Sequence, residues 1–248
     1  VACSRASAKH WKSGPFQGRE SARVESNVFS AASTYAMHVS EIWRYPIKSL
    51  KGERLLQTEI TSLGIAGDRG IVVVRSATGR ILTSRTQPKL LGLQGSLRAD
   101  GVPTINGLSW DSAEALRLVR EAAGEAITLE RVPPGGAFDI LPLLVATDGA
   151  AQYLNIDHRR LRPNIILADV PGLEERRWPG RVLAIGDVRI RAEQLRDRCV
   201  MTTYDPDTQE QDRSVLLRIV QQLDGSVALD CSVAAAGHIR VGDPAEII

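Results

Sequence analysis

The sequence predicts an α+β fold that is mainly β: a β-barrel-like domain, a smaller β-rich region before it, and a few short helices. Three observations carry this. Short strand-like segments recur along the chain between Gly, Pro and Asp turn signals. Only three stretches carry helical periodicity or a helix cap. The regular strand–helix alternation of a doubly wound sheet is missing.

Residues 1–36 hold seven serines, five Lys/Arg and two Glu with no sustained period. They have no apolar signal core, so they read as a disordered leader or a start assigned too far upstream of Met37. Residues 37–132 read as the smaller β-rich region. Residues 38–44 form a first strand, which Pro46 breaks. Residues 55–61 alternate as a second, and Gly64 and Gly67-Asp68 turn the chain. Ile71 to Val74 is a buried β-branched run, and the turn 76–79 leads to a strand at 81–83. Strands follow at 91–98 and 104–108. A helix over 112–123 is capped by Ser112 and stopped by Gly124. A strand at 127–132 ends at Pro133-Pro134-Gly135-Gly136, the subdomain boundary.

The second domain, 133–248, opens with a strand at 143–146, after which Thr147 caps a helix over 148–154. Strands follow at 165–167, 182–185 and 188–192, the last two joined across Gly186-Asp187 as a type I′ hairpin. Residues 200–204 read as a strand, Asp205-Pro206-Asp207-Thr208 as a turn, and 214–223 as a helix with Leu216, Leu217, Val220 and Leu223 on its apolar side. Strands at 227–233 and 239–248 finish the chain.

Bulk properties bound the function. The 248 residues are 43% hydrophobic and 24% charged, with net charge +2. That is globular composition with no Lys/Arg-rich run, which argues against a nucleic-acid partner. No segment reaches the roughly 18–20 apolar residues of a membrane span. Three cysteines, Cys3, Cys199 and Cys231, make no disulfide framework and fit a reducing, cytoplasmic setting.

Cys199 is the first candidate for chemistry. Arg196 and Arg198 precede it, and guanidinium neighbours favour the thiolate, which serves as a nucleophile or a soft-metal ligand. The bland alternative is a small buried hydrophobe, the reading preferred for Cys231 in its strand. Arg159, Arg160 and Arg162 with Asn164 form either an anion clamp or a solvated loop. Lys48-Ser49 and Gly67-Asp68-Arg69 are weak motifs alone, and no dinucleotide, P-loop or Ser-His-Asp pattern is present.

Taken in order, Tyr-Pro-Ile-Lys-Ser-Leu-Lys-Gly (45–52), Gly-Asp-Arg (67–69), Arg-Pro-Asn (162–164), Trp-Pro-Gly-Arg (178–181), Arg-Cys-Val-Met-Thr-Thr-Tyr-Asp-Pro-Asp-Thr (198–208) and Val-Gly-Asp-Pro (241–244) resemble the MOSC family. That family is similar to the C-terminal domain of molybdenum-cofactor sulfurase and to the mitochondrial amidoxime-reducing component. The first two motifs resemble its N-terminal β-barrel region, and the rest the MOSC domain. The resemblance implies a molybdenum cofactor with the Cys199 thiolate as metal ligand, a pairing suited to soft-ligand chemistry. It implies that Lys48, Ser49, Arg69, Arg162, Asn164 and Arg198 bind cofactor. Thr147 and Asp148 would offer backbone N–H groups, and Asp243 would lie near the metal. The implied activity is an oxidoreductase that reduces N-hydroxylated substrates with electrons from a separate flavin or iron–sulfur reductase. The alternatives are a sulfur carrier with a Cys199 persulfide and a non-catalytic cofactor carrier.

Overall fold

The structure is a computed structural model that describes residues 36–248; the leader expected over 1–36, except Ala36, lies outside the described residues, and Cys3 with it. Seven strands close into a barrel: β1 (Met37–Arg44), β2 (Leu143–Thr147), β3 (Ile165–Ala168), β4 (Val182–Ile185), β5 (Val188–Asp197), β6 (Ser226–Ala235) and β7 (Pro244–Ile247). Their order is β3-β2-β6-β5-β4-β7-β1, and β1 pairs again with β3 to complete the ring. Three α-helices, α1 (Ala113–Ala123), α2 (Asp148–Leu154) and α3 (Arg213–Leu223), accompany it. The β2–β3 pair is parallel, and α2 makes the crossover such a pair needs. No helix among the described residues is long and apolar enough to cross a membrane.

Side-chain alternation explains the apolar run of β2. Leu143 and Val145 join the barrel core with Met37, Ile42, Leu167, Ile190 and Cys231. Leu144 and Ala146 face the other way and pack with Ala150 and Leu154 of α2 and Val215 and Ile219 of α3. Both faces are buried, so both must be apolar. Cys231 sits in the barrel core as expected, and burial pushes its thiol far up.

Residues 45–132 build most of a second core, while Ile60 and Ile65 among them join the barrel core. Ile47, Leu50, Ile71, Val73 and Leu82 pack on Ala115, Val119 and Ala123 of α1. Ser112 accepts from the Ala115 amide and Gly124 closes α1 at φ 68°. β1 belongs to the barrel, but the residues after it enter this second core. The motif 45–52 therefore lies at the junction of the two.

Several expected elements differ. The strand at 55–61 is two strands, Glu53–Leu55 on β1 and Gln57–Thr61 on Gly237–Arg240, because Leu56 between them is 80% exposed. The expected strand at 91–98 begins inside a 3₁₀ turn, Pro88–Gly92, and shrinks to Gly95–Leu97. The segment 104–108 is a hairpin, with Asn106 and Gly107 both at positive φ as a type I′ turn requires. At Gly186-Asp187 only Gly186 has positive φ, the pattern of a II′ turn rather than I′. Helix α3 buries Val215, Ile219 and Leu223, one row over from the expected face, and leaves Leu217 and Val220 more than half exposed. Residues Val200–Thr203 form a 3₁₀ turn instead of a strand.

Gly52 shows how tightly the junction is packed. A Cβ there would stand 2.6 Å from two Tyr45 ring carbons and 2.7 Å from the Arg44 carbonyl oxygen. Gly52→Ala is expected to destabilise the protein by about 1–3 kcal/mol through overpacking, seen as a lower urea midpoint with unchanged m-value.

Candidate functional site

The site is built around a buried carboxylate. Asp68 accepts from the Tyr45 amide at 2.6 Å and from Asn164 Nδ2 at 3.3 Å, and it pairs with the Arg69 guanidinium. Asn164 continues the link. Its Oδ1 accepts from the Leu144 amide and its Nδ2 reaches the Trp43 carbonyl, which ties β1 to β2. Tyr45 Oη donates to the Pro163 carbonyl, and burial pushes the phenol up to about 12. Arg162 and Arg69 both lie over the Tyr45 ring, at 4.4 and 5.3 Å from its centre.

Above this knot lies a pocket open to solvent. Six cationic side chains line it: Lys48, Arg69, Arg85, Arg162, Arg196 and Arg198, with Ser49, Asp139, Asp197 and Cys199. Ser49, Arg69 and Arg162 all have positive φ, at 75°, 50° and 55°. Non-glycine residues held there store strain that gathers at functional sites.

The cations divide by partner. Lys48 Nζ donates to Asp139 at 2.6 Å and to the Ala137 carbonyl. Arg196 donates to Asp139 at 3.2 Å and to Asp230 at 2.9 Å. Burial opposes the Asp139 charge, but Lys48, Arg196 and Arg85 outweigh it and hold its carboxyl below the usual range. Among the described residues, no carboxylate pairs with Arg162 or Arg198. They donate to the Leu50 and Leu161 carbonyls at 2.7 Å each. Burial lowers both guanidinium groups, Arg198 to about 10. Arg198 Nε and Nη1 are buried with no partner among the described residues. Buried donors left open are costly, and Arg198 immediately precedes Cys199 and lines the same pocket.

Cys199 is half-buried, and no cysteine among the described residues is bonded to it. It leads from β5 into the Val200–Thr203 turn, where its carbonyl accepts from Thr202. Of the residues expected at the site, Cys199, Lys48, Ser49, Arg69, Arg162 and Arg198 come together in the pocket. Four are placed elsewhere. Asn164 lies beneath it. Thr147 caps α2, and Asp148 accepts from the amides of Gly149, Asp169 and Val170. The Val170–Gly172 segment covers that helix start, so closely that a Cβ on Gly149 would stand 2.1 Å from the Val170 carbonyl. Asp243 accepts from the Arg240 amide in the turn before β7.

The Arg159–Arg160 pair is not an anion clamp. Arg159 binds Asp157 and Asp207, and Arg160 binds Asp205 and the Thr203 carbonyl. Thr83, Ser84, Arg85 and Asp139 also line the pocket, from loops whose spacing carries no signal, while Met201 belongs to the 198–208 motif and Arg196 was visible as a neighbour of Cys199.

Models of two domains match the chain: the MOSC N-terminal beta barrel domain over residues 36–132 and the MOSC domain over 144–246. Mitochondrial amidoxime reducing component 2 of Rattus norvegicus is 26% identical over 279 residues, covering 83% of this chain and 82% of that protein. Mitochondrial amidoxime-reducing component 1 of Homo sapiens is 25% identical over 230 residues, covering 68% and 67%. Among solved structures, the YuaD protein of Bacillus subtilis aligns with a TM-score of 0.47 at 13% identity, covering 86% of this chain and 95% of its own. YiiM of Escherichia coli aligns with a TM-score of 0.39 at 13% identity, covering 86% and 69%.

Behind α2, Thr147 Oγ1 donates to Glu175 Oε2 at 3.2 Å, while Glu175 Oε1 is buried without a partner. Burial raises the Glu175 carboxyl to about 7. A carboxyl raised on folding contributes stability that is full below its unfolded value and lost as pH climbs through the folded value. Between pH 4.5 and 7 the protein should lose up to roughly 3 kcal/mol on this account. Urea titrations at pH 5 and 8 should show that loss in wild type and a much smaller one in Glu175→Gln.

Proposed function

We propose, for a chain that belongs to the MOSC family, that the pocket beside Cys199 holds a molybdenum cofactor and that the protein uses it to reduce N-hydroxylated compounds such as amidoximes. The observation that carries this is Arg198, which keeps two buried donors open beside a half-buried thiol. An anionic ligand satisfies those donors, and a soft metal satisfies the sulfur.

The donor set fits such a group. No three His, Cys, Asp or Glu side chains among the described residues gather as a metal site. A metal at Cys199 therefore has to bring most of its ligands with it, as a pterin dithiolene does. The anionic end of the cofactor would be held by Lys48, Arg69, Arg162 and Arg198, with the Ser49 hydroxyl beside them. Asn164 acts from below by fixing Asp68, and Thr147, Asp148 and Asp243 support the surrounding backbone. When bound, the cofactor supplies the two-electron redox chemistry; the protein supplies orientation and charge. Electrons come from a separate reductase.

Elemental analysis tests the reading. Protein made in a cofactor-producing host should carry molybdenum, Cys199→Ala should lose nearly all of it, and Arg198→Met should lose about tenfold in occupancy, the scale of a charged hydrogen bond. Folded wild type without molybdenum, or loaded protein inert toward every N-hydroxylated compound with a competent donor, overturns it.

A further inference from the structure

β6 carries an acidic residue at its centre. Leu229 and Cys231 on either side point into the barrel core, so Asp230 points to the opposite face, where it is only 1% exposed. Its Oδ1 accepts from Arg196 Nη1 at 2.9 Å, and its Oδ2 takes a longer bond from Gln194 Nε2 at 3.4 Å. A carboxylate sealed off from water is retained only with a charged, hydrogen-bonding partner. Arg196 is that partner, and its other nitrogen, Nη2, reaches Asp139 in the pocket wall.

The backbone is bent to allow this. The β5–β6 register shifts three times, between Arg189 and Ile190, between Ala192 and Gln194 and between Leu195 and Asp197, and Ala228 opposite the third shift has φ 67°. Bulges of this kind re-aim side chains next to sites. Arg196 lines the pocket while Asp230 does not. Asp230 therefore touches the pocket through Arg196.

We propose that Asp230 is a positioning residue that anchors Arg196 in the pocket wall and holds its remaining N–H groups toward a phosphate-class anion. The inference rests on the reading that this pocket takes an anionic ligand. Without the buried carboxylate, Arg196 is released to pair bidentately with Asp139, which turns its N–H groups away from the pocket. Asp139 alone cannot hold it in place, because that residue lies outside the regular strands, whereas Asp230 is fixed in the barrel wall.

The test is a double-mutant cycle on cofactor-free protein with inorganic phosphate as probe, read by calorimetry. Asp230→Asn should weaken phosphate binding about tenfold, the scale of one charge-assisted hydrogen bond. The same substitution in an Arg196→Met background should change it less than about twofold, because coupled residues are non-additive. Asp230→Glu, which keeps the charge, should recover affinity to within about threefold of wild type. If Arg196→Met does not fold, Arg196→Lys closes the cycle. An equal loss in both backgrounds, unchanged or tighter binding in Asp230→Asn, or no phosphate binding by wild type overturns the proposal. Molybdenum content separates this from the cofactor reading. An intact cycle in protein that never carries molybdenum sinks that reading and leaves this one standing. A loaded protein with no coupling does the reverse.

Discussion

Asp68 holds a carboxylate away from solvent, and groups from three distant segments converge on it: the Tyr45 amide, the Arg69 guanidinium and the Asn164 side chain. A charge in that position persists only with all its lone pairs engaged, so the three segments have to meet. One of them leaves β1, one follows a glycine turn in the second core, and one enters β3. Their meeting joins the barrel to the 45–132 region and delivers Lys48, Ser49, Arg69 and Arg162 to a single wall. Tyr45, roofed by two guanidinium groups, fills the space between them.

The charge distribution follows from which cations that framework leaves unmatched. Lys48 and Arg196 reach Asp139, Arg196 also reaches Asp230, and Arg69 reaches Asp68. Arg162 and Arg198 have carbonyl oxygens alone. Carbonyl dipoles offset only part of a buried guanidinium's lost hydration. The surplus positive potential therefore sits on those two residues, which line the pocket together with Cys199. Low dielectric strengthens their pull on an anion.

Much of the barrel was legible because its strands obey local rules. Four of the seven carry apolar runs or alternation bounded by turn residues, and Ser112 and Gly124 bracket α1 as capping chemistry requires. The failures have physical causes as well. Val200–Tyr204 has strand-like composition, but the Thr202 and Thr203 hydroxyls bond back to the Cys199 and Val200 carbonyls and tighten the chain into a 3₁₀ turn. In α3 the choice between two apolar rows was made by packing on β2 and α2, which periodicity cannot see. In the site, the motif residues of 45–52, 67–69 and 198–199 were found through their resemblance to a family. Asp139 and Asp230 were not, because a lone acid in a loop or strand has no meaning until the cation opposite it is known.

The arginine run shows how the same residue type divides its work. Arg159 and Lys51 share Asp207 and hold its carboxyl down to about 2. Arg160 takes Asp205 and the Thr203 carbonyl, and Asp205 in turn accepts from the Asp207 and Thr208 amides. These bonds bind the turn after Cys199 to the 158–161 segment and to Lys51 of the junction. Exposed ion pairs of this kind add little stability singly, but a network that fixes one short turn restricts where the turn can go. Upstream, Cys199 is fixed by β5 through the Arg198 amide, which bonds to the Gly225 carbonyl. The thiol is thus held from both sides, by the barrel before it and by the arginine clamp after it. Arg162, one residue past the Leu161 that ends the clamp segment, is released into the pocket by its left-handed backbone. One run of sequence both pins the sulfur and supplies the charge beside it.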